Sequence, residues 1–134
     1  MKRIKDKIDD INEFLGQLKD IVPECFDEYK SNIEKKAACE RYVEKIVEAI
    51  TDLAFLVIKN KKLKLPEDDT DAFNILSENK IIGGALAASL KNAKGMRNIL
   101  AHDYGKVDDR TIFESITAEL GQDAKEFIKS IKRA

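Results

Sequence analysis

The segment from Ser31 to Lys59, SNIEKKAACERYVEKIVEAITDLAFLVIK, decides the fold of this chain. Apolar residues recur in it at intervals of three and four, which places them along one face of an α-helix. That face consists of Cys39, Val43, Ile46, Ile50, Leu53 and Val57. At about 1.5 Å of rise per residue the helix is roughly 43 Å long, and it needs other helices packed around it.

The rest of the chain shows the same period. A first helix stops before Pro23, a loop covers residues 60–69, and a short helix starts at Asp69 or Thr70 and ends near the pair Gly83 and Gly84. Two further helices follow, the first ending at Gly105 and the second capped by Asp108 or Asp109 and loosened near Gly121. The alternation of period two that marks strands is missing from the sequence. We therefore predict an all-α, up-and-down bundle of four principal helices and one short extra helix.

Composition limits the classes of function. A length of 134 residues favours a single domain over residues 1–134. The formal net charge is −1, so a global positive field that attracts nucleic acid is excluded and any RNA contact must be local. The first twenty residues lack the apolar core of a signal peptide, and the longest uncharged apolar run, residues 53–58, is too short to cross a bilayer. A soluble, cytoplasmic protein without a membrane segment is expected.

Metal and cofactor sites are not indicated. Cys25 and Cys39 form no Cys-x-x-Cys pair and the chain has one histidine, which argues against zinc and favours two buried, reduced thiols. The doublets Asp68-Asp69 and Asp108-Asp109 lie where helix N-caps are expected, and capping accounts for them better than a cation. We expect no metal and no cofactor.

The candidate chemistry lies in Arg97-Asn98-Ile99-Leu100-Ala101-His102-Asp103-Tyr104. Histidine ordinarily titrates near neutral pH, so the single histidine, His102, is the candidate acid/base group. Arg97 is a permanently charged fork suited to phosphate, and its position on an apolar stripe requires a partner, a cleft or an interface. Asn98 lies one turn before His102 and is placed to orient the imidazole. Residues 91–110 also hold a modest excess of basic side chains: Lys91, Lys94, Arg97, Lys106 and Arg110 against Asp103, Asp108 and Asp109.

The spacing between Arg97 and His102 imposes a geometric condition. Five residues of regular helix rotate by about 140° and rise by about 7.5 Å, so the two side chains do not easily grip one phosphate. Either the helix relaxes at its end, or a second copy across a twofold axis completes the site. We favour the homodimer.

Arg97, Asn98, His102 and Tyr104 match the Arg-x4-His-x-Tyr motif of the HEPN superfamily, and the surrounding residues 95–105 resemble its HepT-like toxin branch. The resemblance extends over essentially the whole chain. It implies a HEPN-like bundle of four or five helices that dimerises with the two motifs facing each other. It also implies a metal-independent endoribonuclease, the toxin of a toxin–antitoxin pair, that cleaves RNA by attack of a ribose 2′-hydroxyl.

The resemblance further assigns roles to the motif residues. His102 would be the acid/base group, Arg97 the clamp on the phosphate, and Asn98 a supporting polar residue. The expected partner resembles MntA, a minimal nucleotidyltransferase antitoxin that silences the toxin by transferring AMP to the motif tyrosine, here Tyr104. Some relatives in the superfamily do not cleave RNA. The alternative is therefore a non-catalytic helical module that binds nucleotides or docks on a nucleotidyltransferase.

Overall fold

A computed structural model describes residues 2–102 and 108–134 of the chain. Its long helices are α1 (Lys2–Ile21), α3 (Ile33–Asn60) and α5 (Gly84–His102). Two short helices, α2 (Phe26–Ser31) and α4 (Asp69–Glu78), lie between them. The last rod consists of α6 (Asp109–Glu114), a π-helical segment (Ser115–Leu120) and α7 (Gly121–Arg133). The described residues contain no strand, so the predicted all-α class is confirmed.

Helix α3 forms the centre of the bundle, as its apolar stripe predicts. Every member of that stripe is buried, and α1, α4 and α5 pack against the helix. An edge-to-face contact between the rings of Phe73 in α4 and Phe127 in α7 joins these two helices in the core, with ring centroids 6.1 Å apart. The loop before α4 and the start of this helix at Asp69 are confirmed, because Asp68 accepts the backbone N–H of Asp71 at 2.8 Å as an N-cap.

One helix is missing from the sequence-based prediction. Helix α2 follows Cys25, a residue whose side chain makes no capping hydrogen bond, and its six residues are too few to show a period. Packing stabilises it instead: Tyr29 is fully buried, and its ring centroid lies 5.3 Å from that of Phe113. The bundle therefore contains two short helices rather than one.

The last rod departs from α-helical geometry where the sequence suggested a loosened turn near Gly121. The wider π-helical turns end at Leu120, just before this glycine. Buried residues Ile112, Ile116, Leu120 and Ala124 follow one another at intervals of four. In a regular α-helix such a series drifts around the axis, and a wider turn cancels the drift. The π-helical segment thus keeps this series facing the core.

The two cysteines differ in environment. Cys39 is buried and free, as predicted, and its burial raises the pKa of its thiol to about 11. Cys25 is also free but exposed, so the prediction that both are buried is wrong. Its position as the N-cap residue of α2 leaves it in the connection after Pro23 rather than on an apolar helix face. None of the described helices is both long enough and apolar enough to cross a bilayer.

Candidate functional site

Arg97, Asn98 and His102 lie in the last two turns of α5, and their surroundings differ. Arg97 is largely buried, with 17% of its side chain exposed, whereas His102 is exposed in the final turn of the helix. Asn98 is exposed, and its Oδ1 accepts a hydrogen bond from Nη1 of Arg97 at 3.4 Å. The structure therefore brings Arg97 and Asn98 together and leaves His102 exposed one turn further on. Tyr104 and Asp103 lie outside the described residues.

The partner that Arg97 requires is Glu48 of α3. The guanidinium Nη2 donates to Oε1 of Glu48, a residue that stands between the buried Val47 and Ala49. The Nε of Arg97 is buried and has no hydrogen-bond partner in the described residues. Glu48 is not among the residues that the sequence motif singled out. The available signal was an acidic residue that lies between two apolar residues, Val47 and Ala49, beside the apolar stripe of α3.

A second ion pair lies one turn earlier on α5. Nζ of Lys94 is 3.0 Å from Oδ2 of Asp69, and only 8% of the lysine side chain is exposed. Asp69 is the first residue of α4, and Asp68 before it holds the helix end. The backbone N–H of Asp71 and the hydroxyl of Thr70 keep the pKa of Asp68 below its ordinary value. Two cations on one side of α5 are therefore each matched by a carboxylate from another helix.

These pairs open onto two neighbouring cavities. One of about 410 Å³ is lined by Glu48, Thr51, Asp52, Phe55, Asp69, Lys94 and Arg97. The other, of about 460 Å³, is lined by Asp68, Asp69, Thr70, Lys94, Arg97 and Asn98. Arg97 and Lys94 line both, so the motif arginine borders an open cleft in spite of its burial. We call these two cavities together the arginine cleft.

Several of the basic side chains counted around the motif contact residues of other helices. Lys94 is buried and neutralised by Asp69, and Lys91 donates to Oδ1 of Asn74 at 2.8 Å. Arg110 lies over the ring of Phe26, 4.2 Å from its centroid. The sequence alone does not reveal these tertiary partners, because they come from other helices.

The remaining carboxylates have structural roles that agree with the sequence. Asp108 accepts from the backbone N–H of Arg110 and caps α6, as predicted. Asp109 forms an ion pair with Lys36 at 2.9 Å, which joins the start of α6 to α3. Within residues 2–102 and 108–134, no group of three or more metal-ligating side chains is assembled.

Comparison with known proteins agrees with this fold. A family model described as ribonuclease HepT-like matches residues 5–131. A tRNA nuclease HepT of Aphanizomenon flos-aquae is 27% identical over 119 residues, which cover 89% of this chain and 81% of that protein. An mRNA nuclease HepT of Shewanella oneidensis is 30% identical over 90 residues, 67% of each chain.

Solved structures show the same architecture. A toxin–antitoxin structure with AMP-PNP superposes with a TM-score of 0.93 at 23% identity, over 100% of both chains. The tri-AMPylated HEPN toxin of Shewanella oneidensis, in complex with its MNT antitoxin, gives 0.91 at 24% identity over 98% of this chain and 97% of that one. The chain belongs to the ribonuclease HepT-like family. The predicted HEPN fold, the ribonuclease class and the relation to toxin–antitoxin proteins are thereby confirmed.

Proposed function

We propose that the chain is the toxin of a toxin–antitoxin pair, a metal-independent endoribonuclease whose site is completed by a second copy of the chain. One observation carries the proposal: Arg97 and Asn98 line an open cleft beside the turn that exposes His102. A guanidinium in a cleft suits a phosphate, and an exposed imidazole is free to exchange protons with a substrate. Family membership supports RNA as that substrate.

Arg97 and His102 suffice for the complete cleavage of one RNA phosphodiester bond. Neutral His102 accepts the proton of a ribose 2′-hydroxyl as its oxygen attacks the adjacent phosphorus. The bond to the 5′-oxygen breaks, and His102 returns the proton to that leaving oxygen. Arg97 stabilises the negative charge that grows on the phosphorane oxygens. The products are a 2′,3′-cyclic phosphate and a free 5′-hydroxyl, with no metal in any step.

The exposed surface of α5 supports a homodimer in which a second copy of the chain completes the site. Its exposed side carries a stripe with spacings of three and four residues: Ala85, Ala88, Asn92, Gly95, Ile99 and His102. A Cβ added at Gly95 would meet no atom within 4 Å, and 39% of Ile99 is exposed. The small residues Ala85, Ala88 and Gly95 on this stripe let two helices approach closely. In a twofold contact along the stripe, His102 of each copy lies at the seam. Arg97 contacts Glu48 on the other side of α5, so an RNA strand has to cross the seam to contact His102 of one copy and Arg97 of the other.

The chemistry is tested with the purified chain, RNA and excess EDTA. We expect cleavage at an unchanged rate in EDTA and products that end in a cyclic phosphate. A matched RNA with a single 2′-deoxyribose at a mapped cleavage site should resist cleavage at that site only, because the attacking oxygen is missing. Cleavage of the deoxy site, or dependence on added metal, would contradict the mechanism. Binding of RNA without cleavage would support the non-catalytic module.

Regulation by adenylylation of Tyr104 is the second part of the proposal. A relative was solved in AMPylated form with an MNT antitoxin, which supports the proposal that the motif tyrosine of this chain receives AMP. A phosphate beside Arg97 and His102 repels an RNA backbone and competes for the guanidinium. Incubation with a cognate MntA-like transferase and ATP should add the mass of AMP and abolish cleavage. Tyr104→Phe should stay unmodified and active, and loss of activity of this variant under the same treatment would overturn the assignment.

We further propose that each copy is one domain over residues 1–134 and that the reaction needs no metal or cofactor. RNA and ATP are both cytoplasmic, so we place the protein in the cytoplasm. Catalysis is assigned to Arg97 and His102, support of the arginine to Asn98, and modification to Tyr104.

A further inference from the structure

The only non-glycine residues of the described chain with a positive φ are both lysines. Lys62 has φ of 56° and Lys80 has φ of 60°. Each follows a helix, α3 in the first case and α4 in the second. The left-handed region is unfavourable for residues with a Cβ, so glycine usually occupies this position after a helix. Two helices of this bundle are therefore each followed by a lysine in the left-handed conformation, where glycine is usual.

The hydrogen bonds show that the two ends are equivalent. Leu63 donates to the carbonyl of Ile58 at 3.0 Å, and Lys62 donates to Lys59 at 3.2 Å. After α4, Ile81 donates to Leu76 at 2.9 Å and Lys80 donates to Ser77 at 3.0 Å. Both pairs are the bonds of a Schellman motif, in which the lysine occupies the left-handed position. A cation near a helix C-terminus favours the helix dipole, but neighbouring positions offer that benefit without backbone strain.

The two helix ends lie together at one end of the bundle. A cavity of about 480 Å³ there is lined by Leu63 and Ile81, which follow the two lysines, and by Lys61, Lys80 and Arg133. An adjoining cavity of about 780 Å³ shares Leu63 and includes Lys62, Lys59 and Arg3. Asp52, the acidic residue on that second cavity, lies 3.6 Å from Lys7. We call Lys61, Lys62, Lys80 and Arg133 the basic end.

The basic end lacks the carboxylate partners that other cations of the described residues have. None of its four cations forms an ion pair in the described part of the chain. This contrasts with Lys94 and Arg97, each of which contacts a carboxylate. The overall charge of the chain is −1, so four unpaired cations in one place form a local anion-binding surface. Residues held in strained backbone conformations concentrate at functional sites.

We propose that the basic end is a second RNA-binding surface, which holds the phosphate backbone of the substrate at the opposite end of α5 from His102. This inference rests on the proposed ribonuclease function. Helix α5 begins at Gly84, six residues after the end of α4, and reaches His102 after about 27 Å. An A-form RNA duplex rises less per base pair than the roughly 3.4 Å of B-form DNA, so at least about eight pairs are needed to cover that distance. The substrate class is therefore an RNA with a structured arm of at least that length, rather than a short oligonucleotide.

Glycine substitutions at the strained positions separate an RNA-binding role from a structural one. In a His102→Ala background, which keeps the RNA intact, we compare Lys62→Gly, Lys80→Gly and the double variant. Each glycine should raise the Tm by about 3 °C, because it relieves the left-handed strain. The double variant should bind an RNA hairpin of about twelve base pairs roughly tenfold more weakly, with a salt dependence flatter by one to two in the log–log slope. Lys62→Arg with Lys80→Arg keeps the charge and should keep the affinity without the gain in Tm.

Cleavage of a short and a long RNA, and binding to a partner transferase, complete the test. With His102 restored, the double glycine variant should cleave a tetranucleotide as fast as wild type and the hairpin more slowly, through a higher KM. Unchanged hairpin affinity together with a raised Tm would overturn the inference, as would loss of binding to a partner transferase without loss of RNA affinity. Failure of the ribonuclease function has a different signature, since wild type would then cleave no RNA of any length, while hairpin binding still tests the basic end.

Discussion

We expect the His102→Ala variant to cleave RNA about a thousandfold more slowly than wild type, the range associated with loss of a general acid/base group. His102 is exposed at the end of α5, so its removal takes no packing from the core. The Tm of the variant should therefore equal that of wild type. RNA affinity should also persist, because the phosphate contacts come from other residues.

A matched control distinguishes this role from a contaminating nuclease. Lys125→Ala alters an exposed side chain of α7 and should leave the rate unchanged. The variants are purified in parallel, and cleavage is followed on one labelled RNA in EDTA across pH 5 to 9. Equal rates for wild type and His102→Ala would assign the activity to a contaminant and leave a binding module.

The second large effect is the recovery of activity when two inactive variants share a dimer. Arg97→Ala should lose at least a hundredfold in rate, as for the removal of a transition-state charge donor. A purified mixed dimer of Arg97→Ala with His102→Ala retains one Arg97 and one His102, in different copies. If each active pair spans the seam, this dimer should recover about half of the wild-type rate.

The controls for the mixed dimer are homodimers of each variant and a mixed dimer in which one copy carries both substitutions. None of these holds an intact pair of one arginine and one histidine across the seam on the proposed geometry, and all should remain inactive. Two affinity tags isolate the mixed dimer from the homodimers. Absence of recovery would show that Arg97 and His102 act within one copy, or that the site needs both copies of each residue.

The helical framework was predictable because it depends on local periodicity. The stripe of α3 and the caps at Asp68 and Asp108 can be read from neighbouring residues, and the structure confirms them. Helix α2 could not be predicted in this way, since it depends on the contact of Tyr29 with Phe113, a residue far along the chain. The π-helical segment shows an intermediate case. The sequence shows the apolar residues at intervals of four. It does not show that the helix widens into π-helical turns, because that widening depends on how the last rod packs against the core.

The candidate site divides in the same manner. Short motif spacing was enough to select Arg97, Asn98 and His102 as candidates. The carboxylates that hold Arg97 and Lys94 were not predictable, because Glu48 lies 49 residues before its partner and only the packing of α3 on α5 brings them together. The lysines at positions 62 and 80 were likewise invisible as a pair. Their shared feature is a backbone dihedral angle, which the sequence does not display.

Because Arg97 is paired with Glu48, the arginine cleft and the basic end respond differently to ionic strength. Dissolved ions screen the bond to Glu48 as well as the attraction of Arg97 for a phosphate, and the two effects partly cancel because a phosphate replaces a carboxylate. No such exchange occurs at the basic end, where counterions are simply released when the backbone arrives. Rising salt therefore first releases the part of the RNA that is bound at the basic end. Arg97, beside the scissile bond, keeps its phosphate contact to higher salt.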